Sequence, residues 1–110
     1  YVVRNFTKLK KDLATFQEII KGEKPVLIDF YADWCNPCKM MNPTLKSIKK
    51  HFGDNIKILK INVDNNDKVA EKFQVKGIPT FILFKEGEIR WRKSGVIEEK
   101  EFIGTISSNI

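Results

Sequence analysis

The run Val26-Leu27-Ile28-Asp29-Phe30-Tyr31-Ala32 is apolar at every position but Asp29, and it is rich in β-branched and aromatic residues. Successive side chains of a strand point to opposite faces, so a strand that is apolar at both parities has to be covered on both sides. That is the situation of a strand inside a parallel or mixed sheet with helices above and below, and it demands a layered α/β chain. Asp29 is the one charge carried into that interior.

The flanking periodicities supply the layers. Leu9, Leu13, Phe16 and Ile20 form a helical stripe that predicts a first helix over about Lys8 to Lys21, ended by Gly22 and Pro25. After Cys35, the residues Met41, Leu45, Ile48 and Phe52 repeat the stripe, with Lys39, Lys46 and Lys50 on the opposite side and Gly53 as the stop. Pro43 falls within this helix and is expected to kink it, because it lacks a donor and crowds the preceding turn. Ile56, Ile58, Ile61 and Val63 read as the next strand, completing a right-handed βαβ unit. Val69, Ala70 and Phe73 mark a short helix.

Pro79 then opens the apolar run Thr80-Phe81-Ile82-Leu83-Phe84, Lys85-Glu86-Gly87-Glu88 makes a turn, and Ile89 to Lys93 alternates, which predicts an antiparallel hairpin. Phe102, Ile103, Ile106 and Ile110 give a closing helix, and Val2-Val3 is a further short strand. The order predicts an α/β fold: a central mixed β-sheet flanked by helices on both faces. With 110 residues and 42% hydrophobic content, residues 1–110 are read as a single domain with an ordinary core.

The 20 Lys and Arg against 14 Asp and Glu leave a net charge of +6. The charges are dispersed and no aromatic-interleaved basic motif accompanies them, so the expected partner is an acidic protein and not a nucleic acid. No apolar run approaches the roughly 18 residues that span a bilayer, and no signal-peptide pattern opens the chain, so a soluble protein without membrane insertion is expected. The chain begins at Tyr1 and not Met, so removal of a leader, by the cell or in preparing the protein, stays open. A cytosolic compartment and a secretory or extracytoplasmic one both stay open. A monomer is the default for this size.

The two cysteines lie three positions apart, in Trp34-Cys35-Asn36-Pro37-Cys38-Lys39, so they cannot staple distant parts of the chain. A Cys-X-X-Cys at a strand-to-helix junction puts the first sulfur at unpaired backbone N–H groups, which stabilise a thiolate. Cys35 is therefore expected to have a lowered pKa and to be the nucleophile. Cys38, one turn on and deeper, is placed to attack a mixed disulfide and act as the resolving thiol. A zinc site needs four ligands, and with only His51 besides these cysteines one chain cannot supply them. No metal is expected.

Asp29-Phe30-Tyr31-Ala32-Asp33-Trp34-Cys35-Asn36-Pro37-Cys38-Lys39-Met40, then Pro43, then Gly77-Ile78-Pro79-Thr80, resembles the thioredoxin family in motif and spacing over nearly the whole chain. The resemblance implies the thioredoxin fold and dithiol–disulfide exchange on protein disulfides, with no cofactor beyond a redox-active disulfide Cys35–Cys38. It implies disulfide-containing clients and a thioredoxin reductase or equivalent donor. Pro79 matches the family's cis-proline beside the redox pair, and the backbone at Ile78 pairs with an extended substrate segment. Asp29 matches the buried acid that accepts the Cys38 proton, and Lys60 the lysine that partners it. Trp34 matches the aromatic that shields the site and touches substrate, and Gly95 a glycine near the substrate-facing surface. For each of these a plain structural role stays open: an Asp29–Lys60 pair with no proton transfer, a solvated Lys60, a strand-start Pro79, a packing Trp34, a turn Gly95.

The chain departs from the common family pattern at Asn36-Pro37, where Gly-Pro is usual, and at Tyr31, where Trp is usual. Asn36 and Pro37 are thus the residues expected to tune the redox poise. Neither is His, the residue found in strongly oxidising relatives, so a reductant is predicted, with a potential between about −270 and −220 mV. Two rivals remain: an oxidase or isomerase of an oxidising compartment, and a redox or adaptor subunit of a larger assembly.

Overall fold

The computed structural model describes residues 2–3 and 9–110, with side chains from Thr15 onward. The elements run β1 (Val2–Val3), α1 (Leu9–Ile20), β2 (Val26–Tyr31), α2 (Asn36–Met40), α3 (Asn42–Phe52), β3 (Lys57–Asn62), α4 (Asp67–Lys72), β4 (Thr80–Lys85), β5 (Glu88–Ser94) and α5 (Glu99–Asn109). The expected helix start at Lys8, and the inward faces of Leu9 and Leu13, lie outside the described residues and side chains.

The five strands form one mixed sheet in the order β1-β3-β2-β4-β5. β2 is central: it runs parallel to β3, with Asp29 opposite Lys60, and antiparallel to β4, with Asp29 opposite Phe81. This explains why β2 is apolar at both parities. Val26, Ile28 and Phe30 join Phe16, Ile20, Leu59, Ile61, Ile82 and Phe84 in one core layer. Leu27 faces the other way, into a layer with Met41, Leu45, Ile48, Phe81 and Phe102. Fully burying one such side chain contributes about 1.5–3 kcal/mol. By the same alternation Asp29 lies on the Leu27 side, the face covered by α3 and α5.

One helix was expected from Cys35 to Gly53, kinked at Pro43; there are two. The break falls at Met41, whose N–H bonds the Cys38 carbonyl at 3.1 Å in a tightened turn, and the ladder resumes with Leu45 N–H to the Met41 carbonyl at 2.9 Å. Pro43 stands in the first turn of α3, where a missing N–H costs nothing. Met41 itself is buried, its sulfur accepting the Ile97 N–H at 3.5 Å. One consequence is that Lys39 does not share a helix with Lys46 and Lys50, so the expected three-lysine face is divided between α2 and α3.

Candidate active site

The pair of cysteines sits where β2 gives way to α2. Ala32 ends the buried run, and its carbonyl accepts the Cys35 N–H at 3.2 Å. Cys35 is the N-cap of α2 in extended conformation, and Pro37 occupies the first turn, again where no donor is lost. The Cys35 sulfur accepts the Cys38 backbone N–H at 3.1 Å. With only five residues in α2, this local amide, more than any summed helix dipole, is the donor aimed at the Cys35 sulfur. Cys35 and Cys38 are joined in a disulfide, Cα to Cα 5.3 Å.

Antiparallel pairing of β2 with β4 brings the segment before β4 to the same end of the sheet. The Ile78–Pro79 bond there is cis. The Ile78 carbonyl oxygen lies 3.9 Å from the Cys35 sulfur, close enough to receive a weak S–H bond after reduction. Hydrogen bonds made by Thr80, Gly95 and Arg92 brace this segment and its surroundings. Thr80, fully buried, donates its hydroxyl to the Gly77 carbonyl and accepts from the Ser94 hydroxyl at 2.7 Å. The Gly95 N–H donates to the Pro79 carbonyl at 2.8 Å, with Gly95 at φ +96°. Upstream, Arg92 donates to the carbonyls of Phe73 and Gln74 at the end of α4.

Around the disulfide, Ala32, Tyr31, Val63 and Ile78 cluster with the two cysteines. Trp34 is 68% exposed, with its indole N–H donating to Asp64 at 2.8 Å. Asn36 and Pro37 are exposed, and no hydrogen bond joins the Asn36 side chain to Cys35 among the described residues. A cleft of about 360 Å³ opens on the Cys38 side, lined by Tyr31, Asp33, Cys38, Lys39, Asn42 and Lys60.

Asp29 is fully buried, and neither carboxyl oxygen has a hydrogen-bond partner in the protein. Burial pushes its pKa up to about 7, against a smaller opposing pull from Lys60. The Lys60 ammonium donates to the Asn42 side-chain oxygen at 2.8 Å and lies 4.5 Å from the Tyr31 ring centroid. Lys60 acts on Asp29 through space, while its hydrogen bond goes to Asn42. Among the described residues no group of three or more His, Cys, Asp or Glu side chains could hold a metal.

The family model described as thioredoxin matches residues 7–108. The chain belongs to the thioredoxin family. It is 39% identical over 94 residues to a thioredoxin of Rickettsia bellii, covering 86% of this chain and 90% of that protein. It is 35% identical over 99 residues to a thioredoxin of Pseudomonas aeruginosa, covering 90% and 92%. The fold matches the crystal structure of thioredoxin from Trypanosoma brucei brucei with a TM-score of 0.84 at 23% identity, over 97% of this chain and 89% of that one.

As a thioredoxin-family thiol–disulfide oxidoreductase of the protein-disulfide reductase kind, the chain carries its chemistry in the Cys35–Cys38 pair. Of the residues singled out from the sequence, Cys35, Cys38, Trp34, Ile78 and Pro79 gather at one end of the sheet, and Gly95 joins them through its bond to Pro79. Lys60 lines the cleft beside Cys38, and Asp29 is its register partner on β2. One expectation needs amending: Cys38 is no deeper than Cys35, since each is 3% exposed. What separates the two sulfurs is their surroundings, an amide and the Ile78 carbonyl for Cys35, and a polar cleft for Cys38.

Sequence reasoning missed three residues of this arrangement: Asn42, Asp64 and Ser94. Asp64 carries a local signal, because the Asn62 side chain accepts the Asp64 N–H at 2.9 Å in a tight turn typical of Asn. Asn42 and Ser94 carry none, since their partners are brought to them only by the sheet.

Proposed function

We propose that Cys35 and Cys38 divide the reduction of a client disulfide between them. In the dithiol form, the Cys35 thiolate attacks one sulfur of the client disulfide. A Cys35–client bond forms and the other client sulfur leaves as a thiolate. Cys38 then loses its proton to Asp29 and attacks Cys35, releasing the second client sulfur and forming the Cys35–Cys38 disulfide. Two electrons pass from the dithiol to the client, and both Asp29 and the client thiols return to their resting protonation by exchange with water.

The observation that carries this division of labour is the Cys38 N–H donated to the Cys35 sulfur at 3.1 Å, which singles out Cys35 as the better thiolate. Cys38 instead borders the cleft that contains Lys60. Asp29, with its raised pKa, is poised to take a proton near neutrality. Ile78, Pro79 and Gly95 offer backbone to an extended client segment, and the exposed Trp34 ring covers it. Asn36 and Pro37 tune the potential, within about −270 to −220 mV. Residues 1–110 act as one monomeric domain without a further cofactor, recycled by a thioredoxin reductase or equivalent donor.

The test is to trap clients. Cys38→Ser should accumulate mixed disulfides on Cys35 in the source cell, identifiable by mass spectrometry. If Cys35→Ser with Cys38 intact traps the clients instead, the roles are reversed.

A further inference from the structure

Asp29 and Lys60 are register partners on adjacent parallel strands, on one face of the sheet. Neighbouring strands lie about 4.8 Å apart, so a lysine stem there is long enough to place its ammonium on the aspartate. It does not do so. The Lys60 ammonium donates to the Asn42 oxygen at 2.8 Å and rests against the Tyr31 ring, while both Asp29 oxygens have no hydrogen-bond partner.

Asn42 is available for this because of the break between α2 and α3. An Asn at the start of a helix ordinarily bonds its own backbone as a cap. Here Met41 holds the capping position of α3, no side chain caps it, and Asn42 is the first helical residue. Its amide, half-buried beside Cys38 in the cleft wall, reaches across to β3.

We propose that Asn42 is a positioning residue for the proton step at Cys38: by holding the Lys60 ammonium in the cleft, it prevents an Asp29–Lys60 ion pair and leaves the Asp29 carboxyl able to take up a proton. This rests on the proton-acceptor role proposed above for Asp29. An ammonium in contact with a buried carboxylate stabilises the ionised form and makes it a poor base; held at a distance, its effect is weaker than that of burial. Among the described residues, β3 contributes Lys60, whose charge acts on Asp29, and β4 faces it with the apolar Phe81. Asp33 and Lys39 border the cleft but are exposed, so solvent and salt screen them. The location of the Lys60 charge is the electrostatic variable that this site can adjust.

The test follows the Asp29 carboxyl carbon by NMR across a pH titration of the oxidised protein. Asn42→Ala, which removes the acceptor, should lower the midpoint by at least about half a pH unit, roughly a threefold loss of proton affinity. Asn42→Gln, which retains an acceptor, should recover most of that shift. In a Lys60→Met background, Asn42→Ala should move nothing. A midpoint that is unchanged or raised in Asn42→Ala overturns the proposal, and so does an equal shift without Lys60. The acceptor role is read separately, from the pH dependence of mixed-disulfide resolution in Asp29→Asn. A profile identical to that of the unaltered protein would remove that role and leave the titration result standing.

Discussion

The indole N–H of Trp34 donates to the Asp64 carboxylate at 2.8 Å, joining the residue before Cys35 to the turn after β3. Asp64 is itself held, because its N–H bonds the Asn62 side chain at 2.9 Å. A ring that is 68% exposed is thereby kept in one place with little packing to do so. Asp64→Ala should cost at most about 1 kcal/mol in urea unfolding, since the bond is exposed. It should nevertheless raise KM for a protein disulfide by about threefold, the ring having to be ordered on binding. Steady-state kinetics alongside unfolding separates the two effects, and an unchanged KM would mean that Trp34 orientation does not matter to clients.

The buried carboxyl makes stability depend on pH. The folded pKa of Asp29, about 7, is above the ordinary 3.8, so as pH rises the unfolded chain releases this proton first. Below about pH 4 both states carry it and the group contributes nothing. Between there and about 7 the fold loses stability, and above that the penalty is complete, at most about 4 kcal/mol at ~1.4 kcal/mol per pH unit. Asp29→Asn should therefore gain stability relative to the unaltered oxidised protein between pH 4 and pH 8. Urea melts at both values check this, and a difference that does not change with pH would sink it.

In the reduced protein, alkylation should distinguish the two thiols. The amide aimed at the Cys35 sulfur favours its thiolate, so iodoacetamide at pH 7 should modify Cys35 at least about tenfold faster than Cys38. Peptide mapping after brief exposure reads the ratio. Equal labelling would remove the physical basis for naming Cys35 the nucleophile.

Gly95 and Gly77 should respond oppositely to a methyl group. A Cβ at either meets nothing within 4 Å, but Gly95 lies at φ +96°. Gly95→Ala should cost about 1–2 kcal/mol from backbone conformation alone, and should weaken client binding by displacing the N–H given to Pro79. Gly77→Ala has no such conflict and should be neutral or stabilising by up to about 1 kcal/mol. Unfolding curves of the two variants test the contrast.

Most of the fold is written in periodicity. The run from Val26 announces a strand covered on both faces, and the stripes at Leu45–Ile48 and Phe102–Ile106 announce the helices that cover one of them. Such patterns are legible because burial acts residue by residue along a local repeat. The break at Met41 was not legible as a break: Pro43 signals disturbance, but whether a helix bends or restarts depends on what anchors the residue between, here the pocket that takes Met41.

The same division runs through the site. The sequence alone determined the redox pair, its place at a strand-to-helix junction, and the acid carried into the core at Asp29. These are matters of residue type and short spacing. Only the tertiary structure decided which partner each group takes: Lys60 bonds Asn42 and not Asp29, Trp34 bonds Asp64, and Thr80 with Ser94 secures the segment beside Cys35. A lysine on β3 can reach several acceptors, and the one it takes depends on distances between elements that share no local repeat. The physical reason is that hydrogen bonds are short-ranged and directional, so their pairing is settled by packing, whereas burial is not directional and leaves its mark in the sequence.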